Sequence, residues 1–296
     1  MGVNVAVLGL GIMGSALVRD AARAGLHSTG WDRTDKSGAV LASDGVHVAQ
    51  TAREAVRDAD VVVTMVPDAD AVLSVMQERR AFTAMKAGAS WVQMSTIGLD
   101  GTERAMRLAS TRPDIAFVDA PVSGSKGPAE EGKLVILASG DRAHAGEAVQ
   151  RFFDAVGTQT HWLGDAGQGT RMKLLFNAWL GVVMEGVAEV VTLADALGVE
   201  PQRFASLASG GPLVPPWALA KLKKITEKNT GETEFPLRWA HKDVLLALAA
   251  AGEARSRLPI LTKIASVWED AVRDFGADDL SAIYLALQQR PEKIAS

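Results

Sequence analysis

The chain contains no cysteine, which removes disulfides, thiolate nucleophiles and cysteine-based zinc sites from consideration. That absence fits a cytoplasmic protein. Histidine is scarce too, and His27, His47, His144, His161 and His241 fall at no metal-ligating spacing. No Gly-x-Ser-x-Gly hydrolase turn occurs. The only tyrosine, Tyr284, sits in a C-terminal helical stretch. Positive charge is not in excess: 31 basic against 35 acidic residues leave a net charge of −4 and a pI near 5.8. A small-molecule partner is therefore expected, with neither nucleic acid nor a membrane surface as a partner. The N-terminal apolar stretch is far shorter than the ~20 residues of a membrane span and lacks the basic start of a signal peptide. It reads as a buried strand.

What is present begins at once. The apolar run Val3 to Leu8 flows into Gly9-Leu10-Gly11-Ile12-Met13-Gly14 and then into a helix-like stretch, Ser15 to Ala24. Strand, glycine turn and helix N-terminus are what a dinucleotide pyrophosphate requires. Gly9 allows the turn, Gly11 admits the phosphates to the backbone, Gly14 brings helix and strand together, and the helix N–H groups face the charge. A glycine string alone is weak evidence; its place between strand and helix strengthens it.

The 296 residues, 48% of them hydrophobic, suffice for one large domain or two ordinary ones. Up to residue 163, short apolar runs (Val3–Leu8, Ser28–Asp32, Val61–Met65, Ser90–Met94, Ala116–Ala120, Leu134–Ser139) alternate with amphipathic stretches such as Thr51–Ala59 and Gly101–Ala109. This predicts an α/β domain with a mostly parallel sheet, covered on both faces. After Gly164-Asp165-Ala166-Gly167 the strand signal stops, and Thr170 to Leu197 reads as one long apolar helix. Pro201–Leu207, Trp217–Ile225, Leu237–Ala251, Ile260–Phe275 and Leu280–Gln288 also keep helical spacing. An all-α domain over residues 164–296 is expected to follow the dinucleotide-binding domain of residues 1–163. No repeat or low-complexity tract is evident.

Asp32-Arg33-Thr34 closes the second strand, about 20 residues after the glycine turn, where the ribose 2′ position is read. An aspartate suits the free 2′-hydroxyl of NAD(H). Arg33, Thr34 and Lys36 offer charge and donors to the 2′-phosphate of NADP(H), so the balance leans to NADP(H), with NAD(H) possible and plain solvated charges as the alternative. Lys173 interrupts the long apolar helix, with Asn177 one turn later on the same face. A lysine whose pKa burial has lowered can exchange a proton, and an amide can hold a substrate oxygen. The commoner fate of such a lysine is to lay its stem along apolar neighbours. Asp119-Ala120-Pro121-Val122-Ser123-Gly124-Ser125-Lys126-Gly127 is a small, donor-rich loop suited to a carboxylate, and equally an ordinary turn. Gly127 to Lys133 mimics a phosphate loop, but Leu134 stands where Mg²⁺ needs a hydroxyl, and Glu130-Glu131 repel phosphate. The Lys221-Leu222-Lys223-Lys224 run reads as a solvated helix face.

Taken in order, the glycine string, Met65-Val66-Pro67-Asp68, Met94-Ser95-Thr96, Asp119 to Gly127, Gly167-Gln168-Gly169 leading to Lys173 and Asn177, Lys242-Asp243 and Asp279-Leu280-Ser281-Ala282 resemble the β-hydroxyacid dehydrogenase family. That family includes 3-hydroxyisobutyrate dehydrogenases and the tartronate semialdehyde, glyoxylate and succinic semialdehyde reductases. The resemblance implies a Rossmann domain followed by a helical domain that closes a substrate cleft, in a homodimer or homotetramer. It makes Lys173 the catalytic lysine, Asn177 the substrate-orienting amide, and Ser123 and Gly124 the carboxylate loop. The glycine turn and the end of the second strand make Gly9, Gly11, Ile12, Met13, Gly14, Asp32, Arg33 and Thr34 cofactor contacts, and the resemblance adds Met65, Val66, Pro67 and Thr96, with Lys242 near the nicotinamide.

The chain departs from the family at Ser125, usually glycine, at Asp32, usually asparagine in NADP-preferring members, and at Trp239, where a smaller aliphatic residue is expected. Trp179 and Trp217 lie in regions that could reach the cleft, although packing explains a tryptophan more often. The expected activity is hydride transfer between NADP(H) and a small hydroxy acid, with Lys173 exchanging the hydroxyl proton. Imine reductases of the same architecture usually carry Asp or Tyr where this chain has Lys173. A non-catalytic dinucleotide-binding module would not be expected to keep Lys173 and Asn177.

Overall fold

A computed structural model describes residues 2–34 and 38–289. The chain forms two compact units, with the division between Lys173 and Leu174.

The first unit is built on a sheet of nine strands: β1 (Asn4–Leu8), β2 (His27–Trp31), β3 (His47–Val48), β4 (Val61–Thr64), β5 (Ser90–Gln93), β6 (Ala116–Asp119), β7 (Val122–Ser123), β8 (Leu134–Gly140) and β9 (Gly157–Trp162). Their order is β3-β2-β1-β4-β5-β6-β8-β7, with β9 paired to β8. From β3 to β6 every pairing is parallel. The direction of winding reverses between β1 and β4, the switch point outside which doubly wound sheets bind ligands. β1 shows why both faces are covered. Val5 and Val7 enter one apolar core with Leu17, Val63, Phe152 and Phe153, while Ala6 and Leu8 enter the other with Val62, Phe82 and Trp91.

Three strands were not legible in the sequence. β3 and β7 have two residues each, and β9, at an edge, is mostly polar and nowhere fully buried. The Leu134 run forms a strand, but it lies antiparallel to β6 and carries β7 and β9 beside it. The loop expected over Asp119–Gly127 therefore contains a strand, Val122–Ser123, and the start of the helix Lys126–Glu130.

The second unit is helical. The helix Gln168–Ala196 begins in the first unit and supplies Met184, Ala188 and Val191 to a core with Leu222, Leu237, Val244, Ile264 and Trp268. By length and composition alone it is long and apolar enough to cross a bilayer, with a mean hydropathy of 1.6 over its 18-residue window. Only 44% of that window is buried, so the core just described covers part of its apolar surface while Leu175, Phe176, Trp179 and Leu193 remain exposed. Around it stand Pro201–Ala208, Pro216–Thr226, Leu237–Ala251, Pro259–Phe275 and Ile283–Gln288. Proline opens or precedes four of these, where its missing N–H is harmless.

The Lys221–Lys224 run is not the solvated face that its sequence suggests. Lys221 is 2% exposed; its ammonium lies 2.9 Å from a Glu234 carboxylate oxygen and 3.0 Å from Asp279, which is wholly buried. Lys224 is also buried, and only Lys223 faces solvent. Helical spacing put two of the three lysines on the inward face, and acidic partners distant in sequence make that burial tolerable.

Candidate active site

Register sets the geometry of the site. Trp31, Leu8, Thr64, Gln93 and Asp119 form one row across β2, β1, β4, β5 and β6. The residues that follow each of them open loops at one edge of the sheet. Gly9–Gly14, Asp32–Thr34, Met65–Pro67, Thr96 and Ser123–Gly124 thereby come to the same edge.

Two glycines of the first loop are sterically required. Gly9 has φ +102°, and a Cβ there would lie 2.3 Å from the Met65 carbonyl oxygen; a Cβ on Gly14 would lie 1.8 Å from that of Gly9. A Cβ on Gly11 would meet nothing within 4 Å among the described residues, so this side of the turn is open. Gly11 is the N-cap of the helix Ile12–Arg23, and no described side chain caps it. The first-turn amides thus form a cradle suited to an anion. Ile12 is exposed, whereas Met13 packs partly on the core.

The Asp32 carboxylate binds inward. It accepts from Leu10 N–H at 2.9 Å through one oxygen, and from Thr34 N–H and the Thr34 hydroxyl, both at 2.9 Å, through the other. Burial pushes its pKa up, but these bonds and the Arg33 charge outweigh it and hold the carboxyl below its usual range. Arg33 and Thr34 are exposed; Lys36 lies outside the described residues.

A buried polar cluster that sequence patterns did not reveal supports the next two loops. The Gln93 amide accepts from Thr64 Oγ1 at 3.2 Å and Ser95 N–H at 2.9 Å, and donates to the Ser95 carbonyl at 2.7 Å. The Ser95 hydroxyl in turn receives Val66 N–H at 2.8 Å. Met65-Val66 and Thr96 are therefore fixed to one another from below. A glutamine between Val92 and Met94 in an apolar run was the available signal.

Asp119 ends β6 and joins two candidate groups. Its carboxylate accepts from Thr170 N–H and Thr170 Oγ1, both at 2.8 Å, and from Ser139 Oγ at 3.1 Å. The Ser139 hydroxyl accepts Gly169 N–H at 2.9 Å. These are the first residues of the helix that carries Lys173 one turn further on, and Lys173 is half-buried. Burial raises the Asp119 pKa despite the bonds from Thr170, Ser139 and Gly167. On the other side, β6 runs through Ala120-Pro121 into Ser123, which is half-buried, and Gly124, at φ +136°.

Asn177 and Lys242 belong to the second unit, where Asp243 links them. Asn177 Nδ2 donates to Asp243 Oδ2 at 2.5 Å, and Lys242 Nζ lies 3.0 Å from Asp243 Oδ1. Asn177 and Asp243 are both 3% exposed. A charge-assisted bond of this kind fixes the amide's orientation. The sequence offered Asp243 only as the neighbour of Lys242.

The tryptophans separate. Trp217 packs on the helical core with Lys221 Nζ 5.9 Å from its ring, Trp239 is half-buried under the Arg238 guanidinium, and Trp179 is 65% exposed. Tyr284 donates to Asp195 at 2.9 Å, and both burial and that carboxylate push its pKa up. His241 is buried against the Ala265 carbonyl, and burial lowers its pKa.

Comparison with known proteins defines the family. The profile of the NAD binding domain of 6-phosphogluconate dehydrogenase matches residues 4–164. That of the NAD-binding domain of NADP-dependent 3-hydroxyisobutyrate dehydrogenase matches residues 167–287. The chain belongs to the β-hydroxyacid dehydrogenase family of NAD(P)-dependent oxidoreductases. It is 32% identical over 279 residues to glyoxylate/succinic semialdehyde reductase 1 of Arabidopsis thaliana, covering 94% of this chain and 95% of that protein.

Among solved structures, it resembles 3-hydroxyisobutyrate dehydrogenase of Salmonella typhimurium at a TM-score of 0.88 and 24% identity, over 96% and 99% of the two chains. The Mycobacterium tuberculosis enzyme, solved with L-serine, gives 0.83 and 26% identity over 97% and 100%. An imine reductase from Pseudomonas sp. shares the fold at a TM-score of 0.65 and 21% identity, over 97% and 100% of the chains.

Proposed function

We propose that the chain is an NADP(H)-preferring reductase of a small semialdehyde or keto acid, interconverting it with the corresponding hydroxy acid. The observation that carries this reading is Lys173 at the start of a helix whose first turn is tied to the end of β6, where the Ser123-Gly124 loop also begins. Glycines 9, 11 and 14 and the uncapped first turn would hold the dinucleotide pyrophosphate, and the loops after β4 and β5 would hold the nicotinamide end. The dinucleotide, when bound, supplies the hydride. In the reductive direction the Lys173 ammonium delivers a proton to the developing alkoxide oxygen, and in oxidation the amine takes it back.

The Ser123 hydroxyl and backbone donors about Gly124 and Ser125 hold the substrate carboxylate, and Asn177, oriented by Asp243, holds a substrate oxygen. The preference for NADP(H) follows from Arg33 and Thr34, exposed beside an Asp32 whose carboxylate already accepts three loop hydrogen bonds. Residues 1–163 serve the cofactor, and residues 164–296 serve substrate binding and self-association. The exposure of Trp179, Leu193, Leu197 and Leu207 supports a dimer or larger homo-oligomer.

The reading is tested by Lys173→Ala with an aldehyde acid as substrate. The expected kcat falls by ~10²–10⁴-fold, the usual worth of general acid–base catalysis, with little change in NADPH affinity. Near-normal turnover in the variant would sink the mechanism. Better turnover of uncharged imines than of any acid would move the chain to the imine reductases.

A further inference from the structure

We propose that Asp119 is a positioning residue for Lys173, setting the first turn of the helix Gln168–Ala196 in register with the Ser123-Gly124 loop. The inference rests on the reading of Lys173 as the acid–base group. Asp119 is wholly buried, yet among the described residues none of the side chains hydrogen-bonded to it is a cation; its side-chain partners are Thr170 and Ser139. Its carboxylate binds both the N–H and the hydroxyl of Thr170, and Lys173 follows three residues later on the same helix face.

The packing around this bond leaves no slack. A Cβ on Gly169 would stand 2.1 Å from the Leu137 carbonyl oxygen and 2.9 Å from that of Asp119, so the helix N-terminus rests directly on the backbone of β8 and β6. The Thr170 hydroxyl also lies 3.0 Å from that of Thr102, which donates to the Gly98 carbonyl in the helix following Thr96. Asp119 itself is hydrogen-bonded into the sheet, and four residues beyond it stands Ser123. One carboxylate thus connects the segments bearing Thr96, Ser123 and Lys173. A helix free to slide or rotate here would carry the ammonium away from the oxygen it must protonate, and a misplacement near 1 Å suffices to slow a reaction by about 10²-fold.

The test replaces Asp119 by Asn, of equal size but presenting N–H where Thr170 or Ser139 needs an acceptor. Three quantities are read: kcat with an aldehyde acid, the NADPH dissociation constant without substrate, and amide hydrogen exchange of a peptide spanning residues 167–174. The proposal expects kcat to fall by ~10–10²-fold and exchange in that peptide to accelerate, while NADPH affinity stays within about twofold. Lys173→Ala is the control; it should lose turnover and keep slow exchange. If that control retains turnover, the acid–base reading fails, and the exchange data still judge the clamp. Wild-type kcat and exchange in Asp119→Asn would overturn the proposal. Should Asp119→Asn not fold, Thr170→Val and Thr170→Ser decide: both readouts lost in the first and restored in the second support the clamp, and wild-type behaviour in both overturns it.

Discussion

Two aspartates, one in each unit, are equally inaccessible and yet opposite in character. Asp119 and Asp279 both have no solvent exposure. Asp119 meets hydroxyls and backbone N–H groups, and burial raises its pKa. Asp279 also accepts from neutral donors, among them Ser281 N–H and Oγ, but its first partner is the Lys221 ammonium at 3.0 and 3.1 Å. Burial acts on Asp279 in the same direction, but Lys221 and the hydrogen bonds outweigh it and hold the carboxyl low. Burial alone therefore does not fix the direction in which a carboxyl's pKa moves; here a cation beside Asp279 reverses what burial does to Asp119. The α/β unit uses its buried acid to hold a helix end, and the helical unit uses its own to tie the segment 279–282 to the helix Pro216–Thr226 and to the Glu234-Phe235 backbone.

The largest expected effect breaks the comparison on the helical side. Lys221→Met leaves Asp279 buried without its counter-charge, and loss of one partner from a buried pair typically costs about 3–5 kcal/mol. Chemical denaturation should show this, and a change below ~1 kcal/mol would mean that the neutral donors alone satisfy Asp279.

A second, intermediate effect sharpens the contrast through pH. The Asp279 pKa is below its ordinary 3.8 in the folded chain, so its stabilising contribution is present above the unfolded value and lost as pH falls through the folded one. The Asp119 pKa is above 3.8, so its contribution is full in acid and declines as pH rises from the unfolded towards the folded value. Stability measured between about pH 3 and 7 should lose part of its acid limb in Asp279→Asn. Asp119→Asn should instead remove a loss of stability on the upper side of that range. Parallel changes in both variants would show that the two pKa values do not move in opposite directions.

The smallest effect concerns an exposed charge. Arg33→Ala should weaken NADPH binding by ~10-fold, as befits one solvent-screened phosphate contact, and leave NADH little changed. Titration calorimetry with both dinucleotides measures this, and equal losses would take Arg33 out of the 2′ site.

Six of the nine strands, the tight glycine turn and the all-helical second half were legible in the sequence because each rests on local rules. Apolar period, glycine at φ > 0 and proline at helix starts act over a few residues. β7 and β9 escaped because their hydrophobic signal is short or confined to one edge. The Lys221–Lys224 run misled because a lysine's burial depends on which acid meets it, and Asp279 is 58 residues away. Gln93 and Asp119 were in plain view, yet their roles depend on contacts with Ser95 and Thr170 that only strand register and helix docking create. The sequence by itself determined the six longer strands, the long helices and the glycine turn, and it pointed to the candidate reactive lysine. Tertiary structure alone decided which polar side chains are buried, which partners satisfy them and in which direction their pKa values move, because desolvation and hydrogen bonding act through space between residues that the chain keeps far apart.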